Sequence, residues 1–240
     1  QGVSKTLEDS AMWGEMRMSR TDIADVTGAV YTYLINGHST FDNWSAIFNE
    51  GERIRLRIIN ASAMTLFNFR IPGLPMTVVA ADGLNVQPVE TDEFQIGTAE
   101  TYDVIVTPKV KRPYALVAES IDRSGQVIAT LAPELGMRAD VPALRERPTL
   151  TMRDMGHGRG GHEGHHAGHH ERQRHDHKRG IGVDMVAVSP VFRLDEPGLG
   201  LEHLSHRTLR YTQLKSLEPN PDQRPPERDI ELSLIHISEP

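Results

Sequence analysis

The sequence contains no cysteine. Disulfides, thiolate zinc sites and cysteine nucleophiles are therefore excluded within these 240 residues, although zero cysteine identifies no compartment. Long apolar runs are missing as well: none approaches the ~18 residues that a membrane span requires. Basic runs are absent outside one histidine-rich stretch and the formal net charge is −7, so nucleic acid is not an expected partner. The chain starts at Gln1 with neither an initiator Met nor a basic-then-apolar leader, as expected of a piece of a longer polypeptide or a processed one. Its length still suffices for one large or two modest domains with real cores.

What the chain has in excess is clustered histidine. Eight of its twelve histidines fall between His157 and His177, in the run HGRGGHEGHHAGHHERQRHDH. Neutral imidazole ligates Cu, Zn and Ni, and short His-rich tracts are a compositional sign of metal binding. Met152 and Met155 lie just upstream. Soft thioether sulfur beside imidazole favours copper, especially Cu(I), over harder ions. The candidate metal ligands are therefore Met152, Met155, His157, His162, His165, His166, His169, His170, His175 and His177. The stretch has many glycines and no long apolar side chain, so it is expected to be a disordered linker rather than a core element. A solvated polar linker that binds nothing is the alternative reading. Protonation below about pH 6.5 would weaken any metal affinity.

Ahead of the tract the periodicity is that of strands. Arg53-Ile54-Arg55-Leu56-Arg57-Ile58 alternates without error, apolar residues inward and arginines outward. Strands are also expected at Val30–Ile35, which stops at the Asn36-Gly37 turn, and at Thr65–Ile71, Met76–Ala81, Glu93–Ile96, Thr101–Val106 and Ala115–Ile121. Turns fall at Pro72-Gly73, Asp82-Gly83, Thr107-Pro108 and Ser124-Gly125. Many short strands at this spacing predict an all-β Greek-key sandwich or barrel over residues 29–150. Residues 1–28 are an irregular segment in which Met12, Glu15, Met16 and Ile23 fit one side of a short helix, the methionines serving as packing. Residues 151–182 form the His/Met-rich insert. Residues 183–231 are a proline- and glycine-interrupted connector, with short strands expected at Val183–Val188 and Arg207–Leu214.

The runs GERIRLRIINAS (51–62), IPGLPMTVVAADG (71–83) and VETDEFQIGTAETYDVIV (89–106) resemble the second cupredoxin-like domain of multicopper oxidases. Flanking runs are similar to the copper-resistance protein A branch of that family: MWGEMRM (12–18), YTYLINGH (31–38), DRSG (122–125), TLAPELGM (130–137), LTMRDMGHG (150–158), VDM (183–185) and LRYTQLKSL (209–217). The resemblance implies a periplasmic enzyme of three cupredoxin-like domains that oxidises Cu(I), and phenolic compounds as a further substrate class, with dioxygen as acceptor and copper as cofactor. It implies that the first and third domains, which hold the catalytic coppers, are this chain's partners, together with copper ions. None of their ligand motifs is present here. A type 1 copper of the usual His₂Cys kind has no cysteine to use. His175-Asp176-His177 is the one His-X-His pattern, and it lies in the insert rather than on paired strands. No catalytic or cofactor-binding residue is therefore assigned, and this stretch alone is expected to be inactive, with copper sequestration by the tract as the alternative role.

Three smaller expectations complete the reading. His38 is a lone surface-loop residue, and His203 and His206 are a weak i, i+3 pair. The carboxylates at Asp82 and Glu100 to Asp103 form turns and caps rather than an acid/base pair. Residues 232–240 (LSLIHISEP) resemble translated sequencing adapter, with a genuine strand as the alternative. Surfaces and strand edges meant for neighbouring domains predict poor solubility of the chain on its own.

Overall fold

The alternation at Ile54–Ile59 builds the strand it predicts. The computed structural model describes residues 19–24, 26–154 and 192–219, with single positions between 7 and 14 and between 221 and 228. In it β2 (Ile54–Ile59) pairs antiparallel with β7 (Thr101–Val106), in the register Ile54↔Val106 to Ile59↔Thr101. Ile54, Leu56 and Ile58 pack against the core, and Arg55 Nε donates to Asp103 Oδ2 at 2.8 Å on the outer face. β4 (Met76–Ala81) and β5 (Leu84–Thr91) complete a four-stranded sheet of order β2-β7-β4-β5. Asp82 and Gly83 join β4 to β5 at φ +47° and +80°, as a tight two-residue hairpin demands. Asp82 also accepts from the Thr101 backbone N–H at 2.9 Å, the turn-forming role expected of it.

The second sheet has five strands: β1 (Ser45–Ile47), β9 (Gln126–Ala132), β8 (Tyr114–Ser120), β3 (Phe67–Arg70) and β6 (Glu93–Ile96), in that order. Partners distant in sequence, β1 with β9, β2 with β7 and β3 with β8, give the crossovers of a Greek-key sandwich. Between the sheets lie Phe48, Phe69, Ile71, Met76, Val78, Phe94, Ile96, Val104 and Leu131, all nearly or wholly inaccessible. Phe94 stacks on Phe69 at 5.5 Å within its own sheet and on Tyr102 of the opposite sheet at 4.8 Å.

Two expected strands fail. At Val30–Ile35, Val30, Tyr31 and Leu34 face solvent, and no neighbouring strand pairs with the segment among the described residues. β-propensity without a partner does not make a strand. The Asn36-Gly37 turn is present, closed by two bonds between Ile35 and His38, each at 2.9 Å. Arg207–Leu214 contributes one bridge, Thr208 to Glu93, and then a 3₁₀ turn at Tyr211–Gln213. β1, β5 and β9 are strands the sequence reading did not place: the first is three residues long, and Asn85 and Pro88 disguise the second. The expected strand at Val183–Val188 and residues Met12, Glu15 and Met16 lie outside the described residues, as do residues 229–240; Leu7, Ser10, Ala11 and Gly14 are helical and exposed.

β8 and β9 do not alternate in burial; both faces are covered. The outer cover is the chain that follows them. Ala139 packs on Ala115, Val117 and Ile128, Gln126 Nε2 donates to the Pro142 carbonyl, and Leu201 is 1% exposed. Residues 206–217 then run as a strap along β6 and β5, the two end strands on one side. Asp92 and Glu93 N–H donate to the Arg207 carbonyl, Leu209 N–H to Glu93, Gln87 N–H to Lys215, and Leu217 N–H to Asn85. Strand edges that would invite pairing with other chains are satisfied there. Much of the expected connector is thus part of the sandwich.

At the β8–β9 turn, Gly28 and Gly125 touch backbone to backbone. A Cβ on Gly28 would lie 2.7 Å from Gly125 Cα, and Gly28 N–H donates to Ser124 Oγ at 2.6 Å. Gly28→Ala is expected to cost about 1–3 kcal/mol because backbone, not a side-chain tip, must move. Urea denaturation checks this, and an unchanged midpoint would refute it.

Candidate functional site

Of the ten expected metal ligands, Met152 alone lies within the described residues; Met155, His157, His162, His165, His166, His169, His170, His175 and His177 lie outside them. Met152 is half-buried in a turn over Thr151–Asp154. Thr151 donates from its backbone N–H (2.7 Å) and its hydroxyl (2.6 Å) to Asp154 Oδ2, and Asp154 N–H returns to the Thr151 carbonyl at 3.0 Å. This is a side-chain-capped turn of the kind Asp and Thr favour.

A second turn faces it. Glu196 N–H donates to the Arg193 carbonyl at 3.0 Å, and Arg193 Nε to Glu196 Oε2 at 2.9 Å. The two turns are cross-linked by ion pairs, Asp154 with Arg193 and Arg153 with Glu196. Burial alone would push the Asp154 carboxyl up, but donation from Thr151 and Arg193 outweighs it and holds the group below the ordinary carboxylate range. Glu196 is held low in the same sense by Arg193 and Arg153. The bond to Asp154 raises Arg193. An open cleft beside the paired turns is lined by Asp154, Glu196, Glu202 and His203.

On the outer face of the five-stranded sheet is a buried ionic layer that the sequence reading missed. Arg70 of β3 stands opposite Glu93 of β6, and Glu119 of β8 lies on the same face. Glu93 and Glu119 are fully inaccessible. Arg145 joins them: Nη1 and Nη2 donate to Glu93 at 3.0 and 2.5 Å, and Nε and the backbone N–H to Glu119 at 2.6 and 3.0 Å. Arg70 and Arg123 complete the shell of Glu119 at 3.1 and 2.9 Å. Burial pushes the Glu119 carboxyl up, yet the bonds from Arg145 and the charges of Arg123 and Arg70 hold it lower than usual. The signal that would have revealed this layer is an Arg and a Glu inside otherwise apolar strands, FNFR and YALVAES.

His206 belongs to this layer. Its Nε2 lies 2.7 Å from Glu93 Oε2, a partner far from the i, i+3 pairing with His203. His38 is exposed beside its turn, where the sequence put it. Among the described residues no group of three or more His, Cys, Asp or Glu side chains is placed to hold a metal ion. The described donor set thus does not fit a copper centre, and the chain has no cysteine to complete one. Nor, among those residues, is any helix long and apolar enough to cross a membrane.

Comparison with known proteins places this geometry. The sequence model of the multicopper oxidase family matches residues 8–134. Copper resistance protein A of Escherichia coli is 43% identical across 98% of this chain and 46% of its own length. Copper resistance protein A of Pseudomonas syringae pv. tomato is 42% identical across 98% of this chain and 47% of its own. The chain spans about half the length of the curated relatives it matches. The laccase from Botrytis aclada aligns in structure with 44% of this chain and 21% of its own, at 26% identity and a TM-score of 0.39.

Proposed function

The chain belongs to the multicopper oxidase family, and from that membership we propose that it forms the ligand-free centre of a periplasmic copper-resistance oxidase, followed by an insert that collects copper. The whole enzyme oxidises Cu(I), with phenolic compounds as a second substrate class, and reduces dioxygen. First and third cupredoxin-like domains supply the catalytic coppers. The observation that carries the reading is the division of donors. The described sandwich offers no three-ligand group, whereas eight of twelve histidines sit between His157 and His177, just beyond Met152 and Met155.

A domain without ligands still contributes, because a metal cluster shared between neighbours needs their relative placement fixed by rigid elements. The buried ionic layer and the strap supply that rigidity on one face. Copper at the tract is cargo: several weak imidazole sites on one chain raise each other's effective concentration, and the two thioethers favour Cu(I). Sequestration is the second reading, and the same donors support it.

Copper-loaded chain is expected to show no intense blue thiolate-to-copper band and no oxygen uptake; either signal would refute inactivity. Calorimetric titration of the full chain with copper at neutral pH is expected to show binding that disappears when the eight histidines from His157 to His177 are replaced by asparagine. Absence of binding in the unaltered chain would reduce the tract to a linker.

A further inference from the structure

We infer that the cavity between the β6–β7 turn and the strap is a binding site for a small organic cation, a primary amine with an apolar body, held by the Glu100 carboxylate and the Tyr102 hydroxyl. The site is independent of copper at the insert. The cavity measures about 380 Å³ and is open on one side, at the lower end of small-ligand sites. Glu100 and Tyr102 form its sandwich wall, and Leu194, Leu209 and Tyr211 line the facing one. The facing wall is fixed at two places. Thr212 N–H donates to the Leu194 carbonyl at 3.1 Å, and Gly198 lies so close to Gln95 that a Cβ would come within 2.6 Å of Oε1.

The turn that carries Glu100 holds the carboxylate in place. Gly97 N–H donates to Glu100 Oε2 at 2.6 Å, Glu100 N–H to the Gly97 carbonyl at 3.2 Å, and Asn60 N–H to the Glu100 carbonyl at 3.1 Å. Oε1 is left without a hydrogen bond, and no Lys, Arg or His pairs with this half-buried carboxylate among the described residues. The other charged groups on the lining, Arg193 and Glu196, are taken up by each other, by Asp154 and by Arg153. One negative charge in the cavity is therefore uncompensated.

Tyr102 supplies the second acceptor. Its side chain is 7% exposed and its ring packs on Phe94 at 4.8 Å, yet its hydroxyl has no hydrogen-bond partner among the described residues. Tyrosine hydroxyls buried to this degree ordinarily have one. Burial, and after it the charges of Glu100 and Asp82, push the phenol above its ordinary range, so it keeps its proton at neutral pH in a negative field. An ammonium has three donors and no acceptor, which matches the two free oxygens and leaves one N–H for water. Its bond to a carboxylate is charge-assisted and about twice as strong as a neutral one. The leucines and Tyr211 then cover the apolar body. A metal ion is the poorer match, because a hard cation needs six or so oxygen ligands, and no group of three acidic or imidazole side chains is placed to hold one among the described residues.

The test titrates the full chain at neutral pH with phenethylamine, followed by saturation-transfer NMR, which needs only dilute protein. Phenethyl alcohol is the uncharged counterpart and phenylacetate the anionic one. The amine is expected to bind with a Kd of about 1 mM or below, the alcohol about tenfold more weakly, and the anion not at all. Glu100→Gln keeps an acceptor for the Gly97 N–H and loses the charge. It is expected to weaken the amine about tenfold and to erase its advantage over the alcohol. Tyr102→Phe keeps the ring against Phe94 and is expected to weaken the amine about three- to tenfold. Far-ultraviolet circular dichroism checks that each variant is folded; where one is not, the other variant and the comparison of amine with alcohol on the unaltered chain decide. Absence of saturable amine binding, equal affinity for amine and alcohol, or unaltered amine affinity in either folded variant would overturn the site.

Discussion

Replacing Arg145 by alanine is expected to cost the sandwich about 3–5 kcal/mol near neutral pH, the loss typical of breaking a buried ion pair from one side. Arg145 grips both inaccessible carboxylates through three side-chain donors, two on Glu93 and one on Glu119, and its backbone N–H adds a fourth bond to Glu119 that alanine keeps. Truncation leaves Glu93 with His206 and a distant Arg70 at 3.8 Å, and Glu119 with Arg70, Arg123 and that backbone N–H. In the intact layer neither carboxylate reaches water, because both side chains are fully covered. The magnitude says what the residue prevents, an uncompensated buried charge. It does not say that the ionic layer is a net gain over an apolar one of equal volume. A urea midpoint within about 1 kcal/mol of the unaltered chain would contradict the assignment, since that is the range of an exposed ion pair.

Much of the fold was legible because half-buried strands write their burial into alternate positions. Ile54, Leu56 and Ile58 against Arg53, Arg55 and Arg57 gave a strand and its inner face at once. The failures share a cause. Val30–Ile35 carries strong strand propensity, but pairing is a tertiary fact, and no partner strand comes to it among the described residues. The ionic layer was hidden for the converse reason. Arg70 and Glu119 lie on the outer face of β3 and β8, which would meet solvent had Arg145 and His206 not come over it. Arg145 stands in the charged run Arg145-Glu146-Arg147 near the end of the sandwich, and nothing in that run marks it as the residue that reaches into the layer. Composition picked out the proposed copper donors, since a His-rich run needs no three-dimensional context to be recognised. It could not find the ion-paired turns at Thr151–Asp154 and Arg193–Glu196, which are distant in sequence and meet in space.

Phe94→Ala is the complementary experiment, with an expected loss of about 3–5 kcal/mol from transfer and cavity terms together. Glu93 and Phe94 are consecutive on β6 and both fully buried, but they face opposite ways. The ring packs on Phe69 of its own sheet and Tyr102 of the other, so its removal opens the seam between the sheets. Acid separates the two losses. The folded-state pKa of Glu119 is depressed, so its contribution is fully present above its ordinary value near 4.5 and is lost as pH falls through the folded value. Arg145→Ala removes the strongest side-chain source of that depression. The gap between unaltered and Arg145→Ala chains is therefore expected to be widest near neutral pH and to shrink below about pH 4.5 as the carboxylate protonates. The Phe94→Ala gap contains no titrating group and should stay constant over the same range. Urea midpoints of the three chains at pH 7, 5 and 4 measure both trends. Parallel pH curves for the two variants would mean that Arg145 acts by packing rather than by charge, and the outer layer would then be holding the sandwich together in the same way as its apolar interior.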